Sequence, residues 1–174
     1  SPVMRQAQIA IEDNRFYSHG AIDLRGTMRA LVSNMGGAST QGGSTLTQQY
    51  VKQARIEMAV SAGDEEGVRS AQEQTVSRKL QELRYAIALE HDLSKDQILE
   101  RYLNIAYYGD GAYGVEAAAK HYFGVTADKL DLGQAAMLAG LVQNPVSYDP
   151  VNNPEAAITR RNVVLTRMKG LGLV

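Results

Sequence analysis

The chain has 174 residues, 44% of them hydrophobic, and a formal net charge of −1. That length supports one domain with a proper core, and the near-neutral balance argues against nucleic acid as a partner. Cysteine is absent, which excludes a disulfide framework and a Cys-ligated metal site, and no apolar stretch reaches the ~18 residues of a membrane span.

In chain order, Gln8-Ile9-Ala10-Ile11 is a short apolar run predicted to be buried, and it leads into Glu12-Asp13-Asn14-Arg15-Phe16-Tyr17-Ser18-His19. A carboxylate at the exit of an apolar helix is partly desolvated, which raises its pKa and suits it to general acid/base work. The competing reading is an exposed acidic turn. From near Asp23, Leu24, Met28, Leu31 and Val32 form an amphipathic helical face. Next comes Gln41-Gly42-Gly43-Ser44-Thr45-Leu46-Thr47-Gln48-Gln49. A glycine pair lets the backbone approach a ligand, Ser44 reads as an N-cap, and the helix start offers N–H groups to an anion. Thr45, Gln48 and Gln49 add hydroxyl and amide partners for a sugar or phosphate, and Lys52 follows one turn on. Leu46, Tyr50 and Ala54 continue this helix. The same letters also spell an ordinary capped loop.

Ser61-Ala62-Gly63-Asp64-Glu65-Glu66-Gly67 has the composition of a mobile surface loop. Beside it, Ile56, Met58, Ala59 and Val60 read either as an apolar patch facing a membrane or as core. Val76, Leu80, Leu83 and Ile87 predict a long half-buried helix, on which Arg78 and Lys79 each share a face with Glu82. A solvated salt-bridge face is the blander alternative. Ser94 to Gln97 spells a capping box with Leu93 and Ile98 as its staple, and Asp131 to Gln134 repeats the box before the apolar helix Ala135 to Ala139. Asn153-Pro154 predicts an N-cap with Pro at the first helical position, and Gly170 the end of the last helix. No strand and no internal repeat is predicted. His19 reads as local support, His91 and His121 as partners of helix C-termini, and no cluster has zinc spacing. Tyr107, Tyr108, Tyr113 and Tyr122 are candidates for stacking on sugars.

Taken in register, Glu12-Asp13 with Phe16, then Gln41 to Gln49 with Lys52, then Arg78-Lys79 with Glu82, then Ile98-Leu99-Glu100-Arg101-Tyr102-Leu103-Asn104 form an ordered series. It continues through Tyr108 to Val115, Tyr122-Phe123-Gly124, Ala139-Gly140-Leu141 with Pro145, Tyr148 and Pro150, and Arg160 to Leu165. This series resembles the peptidoglycan glycosyltransferase domain of class A penicillin-binding proteins and of monofunctional transglycosylases, over nearly the whole chain. One departure is His19-Gly20-Ala21-Ile22-Asp23, where the family often reads His-x-Gly before Ile-Asp.

The resemblance implies a mainly α, lysozyme-like domain spanning 1–174, with a large lobe and a smaller, flexible one near 53–74. It implies polymerisation of lipid II, with Glu12 as general base and Glu82 near the leaving group, where it orients cations or a divalent metal, Mg2+ or Mn2+. Ser44, Gln49, Lys52, Arg78 and Lys79 match residues lining the sugar and pyrophosphate path. Asn104, and less closely Asn144, match later motifs in a supporting role. It also implies a membrane surface, the growing glycan strand, cell-wall synthesis proteins and often a fused transpeptidase as partners, at the extracytoplasmic face of the cytoplasmic membrane. The opening Ser1-Pro2 without Met reads as a domain cut from a longer, membrane-anchored protein. Two rivals are a lysozyme-like hydrolase and a non-catalytic glycan- or lipid-binding module. The cations Lys52, Arg78 and Lys79 count against hydrolysis of a neutral glycan, and retention of Glu12 and Glu82 counts against a mere binder.

Overall fold

A computed structural model describes residues 1–23 and 43–174. Among them the regular structure is helical, and the single β feature is an isolated bridge between Tyr107 and Tyr113. The chain divides into two compact units of nearly equal length, Ser1–Asn14 with Leu103–Val174, and Arg15–Tyr102. The predicted helix after Asp23 lies outside the described residues, as do Gln41 and Gly42.

In the first unit, α1 (Pro2–Glu12) packs against α7 (Leu132–Leu141) and α8 (Pro154–Gly170). The α1 face that does so carries Met4, Ala7, Gln8 and Ala10, all buried at helical spacing. Helix α7 starts as predicted: Asp131 accepts from the Gln134 backbone at 2.8 Å, and Gln134 accepts from the Asp131 backbone at 3.1 Å. It then buries Ala135, Ala136, Leu138, Ala139, Gly140 and Leu141. Small side chains let the helices approach closely; a Cβ at Gly140 would come within 3.0 Å of Arg160 Cγ. Leu138, Leu141, Val164 and Met168 fill the space between, each worth roughly 1.5–3 kcal/mol of burial. Asn153 occupies the N-cap position of α8 with Pro154 behind it, but its amide donates to Val146 O instead of capping. Gly170 ends α8 as predicted, and the left-handed turn follows at Gly172, where φ is 69°. One fully buried residue breaks the apolar pattern. Neither polar side-chain atom of Gln8 has a hydrogen-bond partner among the described residues.

In the second unit, α2 (Leu46–Ser61) packs against α3 (Glu65–Gln72) and α4 (Val76–Asp92). Three sequence expectations change here. Thr45, not Ser44, caps α2, its hydroxyl accepting from the Gln48 backbone at 3.2 Å. The acidic glycine-bearing stretch forms a turn and the first turn of α3. Asp64 caps that helix by accepting from Gly67 N at 2.8 Å, and Glu65 and Glu66 complement its dipole. On α4 the apolar stripe points outward: Val76, Leu80 and Ile87 are exposed, Leu83 is half-buried, and Glu82 and Ala86 face inward. Leu80 lies about 200° around the helix from Glu82, so one contact surface cannot bury both. At the end of α2, Ala59 is buried while Met58 and Val60 are exposed and Ile56 is intermediate. Helix α5 (Lys95–Ile105) begins with the predicted box, Ser94 and Gln97 exchanging bonds of 2.9 and 3.3 Å.

Candidate active site

A cavity of about 220 Å3 in the second unit is lined by Ser44, Gln48, Gln49, Lys52, Arg78, Lys79 and Glu82. Two helices supply it. The first turns of α2 bring Gln48, Gln49 and Lys52, and the first turns of α4 bring Arg78, Lys79 and Glu82, with Thr75 accepting from Arg78 N to fix where α4 starts. Six of the eight sequence-predicted site residues thus meet in one place. The other two, Glu12 and Asn104, belong to the first unit: Glu12 closes α1, half-buried, and Asn104 has an exposed side chain near the end of α5. The backbone of Asn104 sits against Gly114, where φ is 82° and a Cβ would meet Asn104 O at 2.5 Å.

The electrostatics of the cavity follow from Glu82. Its carboxylate is 2% exposed, and its two oxygens pair with Arg78 and, at 3.4 Å, with Lys79. A buried carboxylate is tolerable only with such partners, so the salt-bridge face is a buried one rather than a solvated one. Lys79 also donates to Ser44 Oγ at 2.6 Å, which is the position Ser44 takes in place of capping. Burial holds the Lys79 pKa below its ordinary value, Glu82 acts in the opposite direction, and the neighbouring charges of Arg78 and Lys52 lower it further. With Lys52, three cations face one carboxylate, an excess of two positive charges.

Lys52, Arg78, Lys79 and the Ser44 hydroxyl supply donors to the lining. Ser44 accepts from Lys79 and has its own O–H to give. Gln49 Oε1 accepts from Tyr102 at 3.2 Å. The Gln48 amide, by contrast, donates to Ala21 O at 2.7 Å and ties the segment after the first motif to the start of α2. The cavity is smaller than the ~300–1,000 Å3 of drug-sized ligand sites. Its chemistry suits an anion rich in oxygen acceptors.

Several supporting residues escaped the sequence reading. Thr47, buried, donates to Glu90, which also pairs with Lys95 at 2.8 Å, while Lys95 lies 4.5 Å over the Phe16 ring. These ties hold the first motif to the start of α2, and nothing in the spacing announces them. Asn144 caps a turn by accepting from Ser147 N. His19 contacts Gly20 O, His91 contacts Asp92, and His121 meets Asp110 at 2.6 Å. Of the four tyrosines, Tyr108 is fully buried and Tyr122 donates to Tyr108 O, its pKa pushed up to about 12 by burial and then by Asp149 and Asp110. Tyr107 and Tyr113 stack at 4.6 Å, with Tyr113 exposed.

The sequence matches the family described as Transglycosylase over residues 1–169. This chain belongs to the transglycosylase family. Penicillin-binding protein 1A/1B of Bacillus subtilis is 44% identical over 99% of the chain, and penicillin-binding protein 1A of Escherichia coli is 42% identical over 99%. The chain spans 18% and 19% of those two proteins, about a fifth of their length. A Cupriavidus necator protein named for transglycosylase activity is 40% identical, and there the chain covers 67% of the relative. The transglycosylase domain is accordingly a mainly α-helical glycosyltransferase, as its motifs imply. No helix among the described residues is long and apolar enough to cross a membrane.

Proposed function

We propose that this domain polymerises lipid II into peptidoglycan strands, with inversion at the donor sugar. The acceptor's 4-hydroxyl attacks the anomeric carbon of the growing chain, Glu12 takes the hydroxyl proton, and the polyprenyl pyrophosphate leaves with the electrons of the broken C–O bond. An alcohol needs a positioned base for this step, and the departing diphosphate needs positive charge and N–H or O–H donors. The observation that carries the reading is the donor-lined cavity with its excess of cations, which has no purpose in the hydrolysis of a neutral glycan. Lys52, Arg78 and Lys79 bind the pyrophosphate, Ser44 and Gln49 bind its oxygens or the adjoining sugar, and Glu82 holds two of the cations in position.

A divalent ion fits this cavity poorly. Mg2+ and Mn2+ seek several oxygen ligands, whereas the lining supplies one carboxylate whose oxygens Arg78 and Lys79 already hold. No step is therefore routed through a metal. The substrate's lipid calls for work at the extracytoplasmic membrane surface, and Met58, Val60, Val76, Leu80 and Ile87 supply exposed apolar side chains in the second unit. A transpeptidase partner, as in the penicillin-binding relatives, and other cell-wall synthesis proteins belong to the same reading.

Incubation with lipid II, resolving polymer from hydrolysed product, tests the proposal. Polymer with released polyprenyl pyrophosphate is expected, and a hydrolysed disaccharide alone would overturn it. Glu12→Gln should lower polymerisation by about 10²–10⁴-fold with unchanged melting; turnover within a few-fold of wild type would remove Glu12 as the base.

A further inference from the structure

We propose that Glu90 is a positioning residue for pyrophosphate recognition. By holding Thr47 it sets the register of α2 on α4, and with it the place of Lys52 relative to Lys79 and Glu82. The two helices run antiparallel and meet at three levels. The Thr47 hydroxyl donates to Glu90 Oε1 at 2.5 Å, Val51 and Ala86 lie buried in one cluster, and Arg55 donates to Gln81 Oε1 at 3.0 Å. Each step forward along α2 is thus a step back along α4. The cavity residues Lys52 and Glu82 fall between the second and third levels, so their spacing follows the register.

Only the first level can fix that register. Val51 against Ala86 is an apolar contact without direction, which lets one helix slide on the other, and each residue of slip displaces a side chain by about 1.5 Å along the axis. Arg55 and Gln81 join long side chains at the surface, and those follow a small slide. Thr47 is short, fully buried and restricted in rotamer. Its acceptor is held as well: the Glu90 carboxylate is 12% exposed, and Oε1 also receives Lys95 at 2.8 Å, whose ammonium lies 4.5 Å over the Phe16 ring. Apolar side chains of equal volume stabilise a fold as well as a buried ion pair does, so what the charged acceptor adds here is direction. The inference rests on the pyrophosphate reading of the cavity, which Glu90 itself does not line.

The chain has no cysteine, so spin labels can be placed at will through Met58→Cys on α2 and Ile87→Cys on α4, both exposed positions. Pulsed electron resonance then reads the distance between the helices, and calorimetry reads the affinity for inorganic pyrophosphate. Thr47→Val keeps the shape and removes the hydroxyl. It should weaken pyrophosphate binding by roughly three- to tenfold, the factor of one hydrogen bond, and shift or broaden the distance distribution of the ligand-free chain. Thr47→Ser keeps the hydroxyl and should match the parent in both readings. In a Glu90→Met background Thr47→Val should have no further effect, and a full additive loss there overturns the inference. An unchanged distance distribution in Thr47→Val also overturns it, as does a Thr47→Ser defect equal to that of Thr47→Val, which would trace the effect to the methyl group. If Lys52→Ala leaves the parent's pyrophosphate affinity unchanged, the reading of the cavity fails instead, and the distance alone shows whether Glu90 sets the register. Should Thr47→Val not fold, Thr47→Ala is read by the same two measurements.

Discussion

The two units bury different things. The first closes over alanines, leucines and Met168 between α1, α7 and α8, whereas the second turns Glu82, Arg78 and part of Lys79 inward on α4 and leaves Val76, Leu80 and Ile87 in the open. An apolar core is cohesive without direction, so periodicity alone finds it. A buried charge needs named partners at defined positions, and periodicity then picks the wrong face. The contrast also separates charge from packing: the first unit carries Glu12 at the end of a firmly packed helix, and the second gathers positive charge around one cavity.

Substitutions that remove these two kinds of burial should differ in size and in kind. Leu138→Ala should cost about 2–5 kcal/mol of stability, since the side chain is fully buried and its neighbours are packed; chemical denaturation measures this. Glu82→Gln should cost ~2–3 kcal/mol, below the ~3–5 of a fully buried pair because Lys79 is 44% exposed. It should also lose polymerisation, since the cations lose their anchor. Loss of stability with full activity would mean that Glu82 serves the fold alone.

Protonation offers a third probe. Burial lowers the pKa of Lys79, so its ammonium is lost earlier than an ordinary lysine's as pH rises, and donor affinity should fall on the alkaline side. Lys79→Arg keeps the charge to higher pH and should move that limb upward. A pH profile of kcat/KM checks it, and coincident limbs would detach Lys79 from the donor.

The smallest effects concern the residues that break each unit's pattern. Gln8→Met should leave stability unchanged or raise it by up to ~1 kcal/mol, because two buried polar atoms with no partner among the described residues are replaced by an apolar chain of similar size. Leu80→Ser should change stability by less than about 0.5 kcal/mol while weakening liposome binding. A large loss of stability would show Leu80 to be core after all.

Much of this was legible in the sequence, and the exceptions share a cause. The capping boxes at Ser94 and Asp131, the apolar α7 and the i,i+3 and i,i+4 pairs of Glu82 are local patterns, and each is found where its spacing says. The motif order also brought Ser44, Gln49, Lys52, Arg78, Lys79 and Glu82 to one cavity. What could not be read depends on partners far along the chain. Ser44 leaves the cap because Lys79 is there to bond it, Gln48 is claimed by Ala21, and Tyr102 reaches Gln49 across 53 positions. The acidic stretch at Ser61 to Gly67 misled for another reason: its composition is that of a loop, yet Asp64 and two glutamates also make a good helix start.

The central claim is that the second unit's cavity recognises a pyrophosphate through its cations and donors. Binding of a polyprenyl pyrophosphate compared with the polyprenyl alcohol of the same chain length, by calorimetry, tests it most directly. The account predicts binding at least about tenfold tighter for the pyrophosphate, corresponding to ~1.4 kcal/mol, with that preference collapsing in Lys79→Ala and in Lys52→Ala. Equal affinity for the two lipids, or a preference untouched by both substitutions, would contradict it.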